Sequence, residues 1–143
     1  MQAHALPVLT PYQRIGGEAV VRQLTRRFYE IMDELPETYP LRKIHAEDLT
    51  ESGQKLFEFL SGWLGGPQLF IEKYGHPMLR RRHFAFRIGR EERDQWLLCM
   101  QMALDEVVPD AALRSELYDA IAHLADHMRN QPDSPQATHA PHC

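Results

Sequence analysis

The sequence predicts an all-α protein built around a single core. Apolar residues recur at spacings of three and four along four separate segments, which is the pattern of amphipathic helices. No segment alternates apolar and polar residues for long enough to indicate a strand. The chain has 143 residues, 43% of them hydrophobic and 25% charged, so it suits one globular domain and leaves no room for two ordinary ones.

The first long helix is expected to follow a loose lead-in. Residues 1–14 contain two prolines and no sustained period, so we expect the folded domain to begin at Ile15, just before a pair of glycines. An apolar stripe starts after Glu18, and Pro36 ends the helix because proline lacks the N–H that the next turn needs. The stripe consists of Val21, Leu24, Phe28, Met32 and Leu35.

The second helix is expected after a connector. Asp48 and Thr50 are suited to cap it, and a Gly-Gly-Pro run that ends at Pro67 stops it. Its predicted inner stripe is Leu56, Phe59, Leu60 and Trp63. Residues 69–87 are interrupted by a glycine and a proline, so we expect short helical turns and a loop that follows the shape of a neighbour.

Two further helices complete the predicted domain. The third begins near Glu91, and Pro109 with Asp110 separates it from the fourth. Their apolar stripes are Trp96, Met100, Ala103 and Val107, then Leu113, Leu117, Ile121, Leu124 and Met128. We assign residues 15–130 to the domain. Residues 131–143 hold three prolines and no large aliphatic residue, so we expect a disordered tail.

Composition disfavours several classes of protein. A net charge of -4 and a pI near 6.0 argue against a chain whose overall field holds nucleic acid or an acidic membrane surface. Cys99 and Cys143 do not indicate a disulfide framework, and His123 with His127 lacks the further ligands of a zinc site. With no long apolar run and no signal peptide, the sequence predicts a cytoplasmic protein.

One segment stands out chemically. Residues 80–88 combine arginines, one imidazole and two aromatic rings beside apolar neighbours. Haem would suit such a segment, because its macrocycle needs an apolar slot, its propionates attract arginines and its iron takes an imidazole ligand. Taken alone, these residue types favour a second interpretation, in which His83 is an ordinary hydrogen-bonded histidine and the arginines form a solvated or phosphate-binding patch.

A second signal comes from a series of motifs between Tyr12 and Met128. They are Ile15-Gly16-Gly17, Phe28-Tyr29, Trp63-Leu64-Gly65-Gly66-Pro67, Tyr74-Gly75-His76-Pro77, Arg82-His83-Phe84-Ala85-Phe86-Arg87-Ile88 and Asp94-Gln95-Trp96-Leu97-Leu98-Cys99-Met100. In this order they resemble the group II truncated haemoglobins, a globin family of bacteria and plants. The resemblance implies a two-over-two helical sandwich around haem.

The resemblance also implies roles for single residues. His83 matches the position that binds the haem iron directly, while His76 is expected to fix the loop before it. Tyr29 and Trp96 match polar positions on the opposite, distal side of the haem. His45 matches a connector position where the family carries tyrosine, phenylalanine or histidine. We expect all three distal side chains to donate hydrogen bonds to a bound ligand.

Further residues are expected to surround the haem. Ser52 matches a gate where many other globins carry histidine, and a small residue there would ease lateral entry of ligands. Arg80 and Arg82 are expected to approach the propionates. The expected apolar contacts are Leu56, Phe59 and Phe86.

These roles imply a cofactor, ligands and an activity. The cofactor would be haem b, and the ligands dioxygen, carbon monoxide, nitric oxide and peroxide. Two or three donors of about 1 kcal/mol each would slow dioxygen release by about one to two orders of magnitude, because bound dioxygen takes on negative charge. Redox chemistry such as nitric oxide dioxygenation or peroxide activation, served by an unidentified reductase, then suits the protein better than bulk oxygen transport.

Two alternatives stay open. The protein could be a non-catalytic oxygen carrier or sensor, in which ligand binding shifts the His83 segment. It could also be a haem-free helical module whose arginines hold phosphate or nucleic acid. On the haem hypothesis we expect neither a nucleic-acid nor a membrane partner, and either a monomer or a homodimer.

Overall fold

The structure is a computed structural model that describes residues 8–83 and 85–132. These ranges contain α-helices, one short 3-10 turn at Pro36–Thr38 and no strand, which confirms the all-α prediction. The helices are α1 (Pro11–Ile15), α2 (Glu18–Glu34), α3 (Tyr39–Arg42), α4 (Thr50–Trp63), α5 (Leu69–Tyr74), α6 (Leu79–Arg82), α7 (Arg90–Val107) and α8 (Ala111–His127). The predicted C-terminal tail and Cys143 fall almost wholly outside the described residues.

The four long helices form the predicted two-over-two sandwich. α2 pairs with α4, α7 pairs with α8, and the two pairs meet where α2 lies against α7. The apolar stripes that the sequence predicted for α2, α7 and α8 supply much of the core between them. Completely buried members include Val21, Phe28, Cys99, Met100 and Ala103. Within the described ranges, every helix is too short or too polar to cross a lipid bilayer.

Cys99 belongs to this core as a free thiol. Burial raises the pKa of the thiol to about 11, because the thiolate would lose its hydration. The side chain is therefore protonated at neutral pH and acts as a small apolar residue.

Local hydrogen bonds explain where two of the long helices begin. The carboxylate of Asp110 accepts hydrogen bonds from the backbone N–H groups of Ala112 and Leu113, as expected of an N-cap. Before α4, the carboxylate of Asp48 accepts from the N–H of Thr50, but the residue at the cap position is Leu49. Asp48 therefore closes the turn that precedes α4 instead of capping the helix.

A short helix, α1, precedes the predicted start of the domain. Thr10 and Gln13 form a capping box, in which each side chain bonds to the backbone N–H of the other. The N–H of Tyr12 then donates to the carbonyl of Leu64, which joins α1 to the end of α4. A tertiary contact therefore holds α1 against α4, although this segment has no apolar period of its own.

The buried face of α4 also differs from the predicted stripe. Phe57 and Leu60 face the core, whereas Leu56 and Phe59 are half-buried and Trp63 is 37% exposed. The residues that the sequence assigned to one inner stripe thus divide between the core and a second face of the helix. That second face borders an aromatic crevice.

Replacing Phe28 by alanine is expected to destabilise the domain by about 3–5 kcal/mol, because the ring is completely buried and its removal leaves a cavity in the core. Urea unfolding followed by circular dichroism measures the change in unfolding free energy. Tyr39→Ala serves as the control, since Tyr39 is 64% exposed, and should change the unfolding free energy by less than about 1 kcal/mol. Equal effects of the two substitutions would contradict the assigned core.

Candidate functional site

An aromatic crevice lies between α4 and α5. Phe59 and Trp63 stack with ring centroids 6.4 Å apart, and Phe59 meets Phe70 edge-on at 6.2 Å. The crevice has a volume of about 220 Å³. Trp63 and Ile71 line it and keep 37% and 40% of their surface exposed. A flat apolar molecule would find aromatic contact here and would cover side chains that otherwise face water.

The chain leaves α5 through a strained turn. Met78 has a φ of 44°, a left-handed value that costs energy for a residue with a side chain. It precedes α6, a single turn that ends at Arg82, directly before His83. Met78 and Phe86 flank that histidine in sequence and are 55% and 43% exposed. The histidine therefore lies in an irregular segment with exposed apolar neighbours.

The imidazole of His83 is held in one orientation. Its Nδ1 lies 2.7 Å from the carbonyl oxygen of Leu79, one turn earlier in α6. A carbonyl only accepts hydrogen bonds, so Nδ1 carries a proton, and in the neutral imidazole the lone pair is on Nε2. A half-buried imidazole whose Nδ1–H bonds to a backbone carbonyl is the usual arrangement of a histidine that ligates a metal through Nε2.

Three other polar side chains gather from separate parts of the chain. Phe28 joins them, because its ring centroid lies 4.8 Å from that of Tyr29 on α2 and 4.9 Å from that of Trp96 on α7. The ring of His45, which follows α3, lies 5.9 Å from that of Tyr29. The packing of α2 against α7, and of α3 against both of them, thus brings together the three residues that the sequence analysis assigned to the distal side.

The polar atoms of this cluster are available to a ligand. Among the described residues, neither the hydroxyl of Tyr29 nor the indole N–H of Trp96 has a hydrogen-bond partner. Nδ1 of His45 lies 3.0 Å from the carbonyl of Leu41, so its Nε2 carries the lone pair. In this geometry Tyr29 and Trp96 present donors and neutral His45 presents an acceptor, and their contact with a bound ligand stays a prediction.

Burial keeps the cluster uncharged. It raises the pKa of the Tyr29 phenol well above its ordinary value, because phenolate would be poorly solvated there. Burial also lowers the pKa of His45, with smaller lowering contributions from the charges of Arg42 and His83. The hydrogen bond to Leu41 opposes that shift. Around neutral pH the cluster holds a phenol, an indole and a neutral imidazole.

The other predicted pocket residues lie on α4 and after α6. Ser52, Leu56 and Phe59 are half-buried and follow a spacing of four and three along α4, so they share one face of that helix. Phe86 lies in the loop that follows His83. Their contact with a cofactor stays a prediction.

The two arginines expected at the propionates contact the protein backbone. Arg82 donates to the carbonyls of Pro77 and Tyr74, and its guanidinium lies 5.1 Å from the ring centroid of Phe70. Arg80 donates to the carbonyl of Arg129 at 3.2 Å. Arg82 thus fixes the turn between α5 and α6, the role that the sequence analysis gave to His76. Contact of either guanidinium with a propionate stays a prediction.

Asn130 is a residue that the sequence analysis missed. It follows α8, and its side-chain amide bonds to the backbone on both sides of Phe86 in the loop that carries His83. The sequence shows only that an asparagine follows the end of the fourth predicted helix. That position does not indicate which distant loop the side chain contacts.

Comparison with known proteins identifies the family. A family model described as bacterial-like globin matches residues 10–130. The chain is 42% identical over 124 residues to the group 2 truncated hemoglobin YjbI of Bacillus subtilis, covering 87% of this chain and 91% of that relative. The chain belongs to the bacterial-like globins. The resemblance to the group II truncated haemoglobins that the motifs predicted is confirmed, and the matched residues include α1.

Solved structures of similar proteins agree with this globin fold. A group II 2-on-2 hemoglobin from the plant pathogen Agrobacterium tumefaciens is 51% identical, with a TM-score of 0.86 over 90% of this globin and 100% of that chain. A cold-adapted truncated hemoglobin from the Antarctic marine bacterium Pseudoalteromonas haloplanktis is 48% identical, with a TM-score of 0.85 over 87% and 100% of the two chains. Membership of the globin family makes this chain a haem-binding protein.

Proposed function

We propose that this globin holds haem b through Nε2 of His83 and binds dioxygen, nitric oxide, carbon monoxide or peroxide beside Tyr29, Trp96 and His45. We propose that it serves redox chemistry, either nitric oxide dioxygenation or peroxide activation. The observation that carries the proposal is the Nδ1 hydrogen bond of His83 to Leu79, because it leaves a lone pair on Nε2.

The residues present fit a haem group. The crevice formed by Phe59, Trp63 and Phe70 offers aromatic contact to a flat macrocycle, and exposed apolar side chains border it. The sequence contains no Cys-x-x-Cys-His run for covalent attachment, which favours haem b. When bound, haem would supply an iron centre that takes a diatomic ligand and exchanges electrons.

The distal cluster divides into donors and an acceptor. The phenol of Tyr29 and the indole of Trp96 can each donate a hydrogen bond to a ligand that carries partial negative charge. If each contributes about 1 kcal/mol, together they slow ligand release by more than one order of magnitude. Slow release suits a reaction with the held ligand better than bulk oxygen transport.

His45 adds a proton acceptor, which a protein that only stores dioxygen would not need. Its neutral Nε2 can accept a hydrogen bond from the Tyr29 hydroxyl or a proton from a protonated ligand such as hydrogen peroxide. A base beside two donors is suited to orient peroxide and to move its proton. This arrangement supports redox chemistry over simple carriage, and it requires a reductase or another electron source for repeated turnover.

The test is turnover. In the first assay, nitric oxide is added in successive stoichiometric portions to the oxygenated, haem-loaded globin in the presence of ascorbate, and nitrate is measured. In the second assay, the ferric form receives hydrogen peroxide and guaiacol, and oxidation of guaiacol is measured. We expect many turnovers per haem in at least one of the two assays. Haem-free globin with the same reductant is the control. Reversible dioxygen binding with one turnover or none would instead identify a carrier or sensor.

A further inference from the structure

The loop that carries His83 has little structure of its own. α6 before it is a single turn, and α7 starts only at Arg90. In the described part of this loop, the one internal backbone hydrogen bond runs from the N–H of Phe86 to the carbonyl of His83, at 3.0 Å. Contacts from elsewhere in the chain must therefore determine the shape of the loop.

Those contacts come from the end of α8. The N–H of Ile88 donates to Oδ1 of Asn130 at 2.9 Å, and the N–H of Asn130 donates back to the carbonyl of Ile88 at 2.8 Å. Nδ2 of Asn130 donates to two further carbonyls, those of His83 at 3.2 Å and Phe86 at 2.8 Å. The backbone N–H of Gln131 also reaches the carbonyl of Ile88, at 3.2 Å.

The chemistry of these contacts requires an amide. The side chain of Asn130 accepts from one N–H and donates to two carbonyls, and this pattern decides which of its atoms is oxygen and which is nitrogen. A carboxylate of the same size could accept from Ile88 but could donate to neither carbonyl. A methyl group would leave the N–H of the buried Ile88 and the carbonyl of Phe86 without this partner, and the carbonyl of His83 would keep only the N–H of Phe86.

The position of His83 is thus set at two points. Its ring is oriented by the carbonyl of Leu79, which precedes it in α6. Its own carbonyl is held by Nδ2 of Asn130, which lies 47 positions later in the chain. Since the peptide plane of a residue determines the direction of its Cα–Cβ bond, Asn130 contributes to aiming the imidazole.

We propose that Asn130 is a positioning residue for the iron ligand, and that it couples the end of α8 to the geometry of His83. The inference rests on the proposed role of His83 and adds a residue that hydrogen-bonds to the backbone carbonyl of that histidine. Loss of the two donated hydrogen bonds should move the imidazole relative to the iron and loosen the cofactor, even where the fold survives.

Two substitutions test the proposal in the full-length globin. Asn130→Ala removes all three side-chain hydrogen bonds to the His83 loop, whereas Asn130→Asp keeps the acceptor for Ile88 and removes only the donors. Gln131→Ala is the neighbouring control: it removes the hydrogen bond from Nε2 of Gln131 to Oδ1 of Asn130, but it leaves the three bonds from Asn130 to the His83 loop and the backbone bond to Ile88 in place. The readouts are the iron–histidine stretching band of the ferrous, unliganded protein, the rate of haem transfer to excess apomyoglobin, and the exchange rate of the Ile88 amide hydrogen in the haem-free chain.

The expected result separates positioning from stability. Both Asn130 variants should shift the iron–histidine band and release haem about tenfold faster than the control. Exchange at Ile88 should rise in Asn130→Ala but stay low in Asn130→Asp. A band at the control position in both variants would overturn the proposal, even if their melting temperatures fall. Absence of the band from the unaltered globin, or its persistence in His83→Ala, would instead overturn the proposed function.

Discussion

Replacing His83 by alanine should abolish the histidine-ligated spectrum of the haem-loaded globin and lower haem affinity by more than about 100-fold. Losing a residue that only supports a metal ligand costs about 10–100-fold in affinity, and removal of the ligand itself should cost more. The measurement is a titration of haem into the purified chain, with absorption spectra of the ferric, ferrous and carbon monoxide forms. His83→Gly supplemented with free imidazole should recover the spectrum, because the imidazole can occupy the vacated space.

His76→Ala is the control for this experiment. Both histidines flank the same run of arginines, but His76 is exposed and His83 has the ring hydrogen bond to Leu79 that prepares Nε2. The His76 variant should bind haem with the spectrum of the unaltered globin. A normal spectrum in His83→Ala together with a lost spectrum in His76→Ala would reverse the assignment of the ligand.

Removing the phenol of Tyr29 should accelerate dioxygen release about fivefold, and removing the indole of Trp96 as well should bring the acceleration to about one to two orders of magnitude. Each figure follows from the loss of a donor worth about 1 kcal/mol. The variants are Tyr29→Phe alone and together with Trp96→Phe, and stopped-flow ligand displacement measures the rate. Carbon monoxide release should change less, because that ligand takes on less negative charge.

The pH dependence adds a second test of Tyr29. Because burial raises the pKa of its phenol, the hydroxyl should remain a donor at about pH 10, where an exposed tyrosine begins to ionise. The difference in release rate between the unaltered globin and Tyr29→Phe should therefore persist at that pH. Tyr39→Phe, at an exposed tyrosine, serves as the control. Identical release rates for Tyr29→Phe and Tyr39→Phe would contradict the assignment of Tyr29 as a ligand donor.

Local patterns predicted much of the fold. The stripes of α2, α7 and α8 follow helical periodicity, and proline and glycine mark where helices stop, so these elements follow from neighbours in sequence. α4 was predicted as a helix, but its buried face was misassigned. Periodicity reports which residues share a face, and it does not report whether that face meets the core or a crevice.

The residues of the candidate site could also be predicted only in part from the sequence. His83, Tyr29 and Trp96 could be proposed from short motifs, since each motif keeps its residue types and order within a few positions. His45 was placed near them, yet its role as an acceptor follows from a tautomer that only its contact with Leu41 defines. Arg82 was expected at a propionate because of its charge, while the structure shows it bonded to carbonyls of the preceding turn.

By itself the sequence determined the helical class, the globin family and the histidine proposed to bind iron, because these depend on short-range periodicity and on motifs read within a few residues. Only the tertiary structure decided that α1 packs on the end of α4, that Trp63 faces a crevice and that Asn130 holds the loop of His83. Each of these depends on a contact between residues far apart in the chain. Such contacts follow from how whole helices pack, and a local pattern carries no information about that geometry.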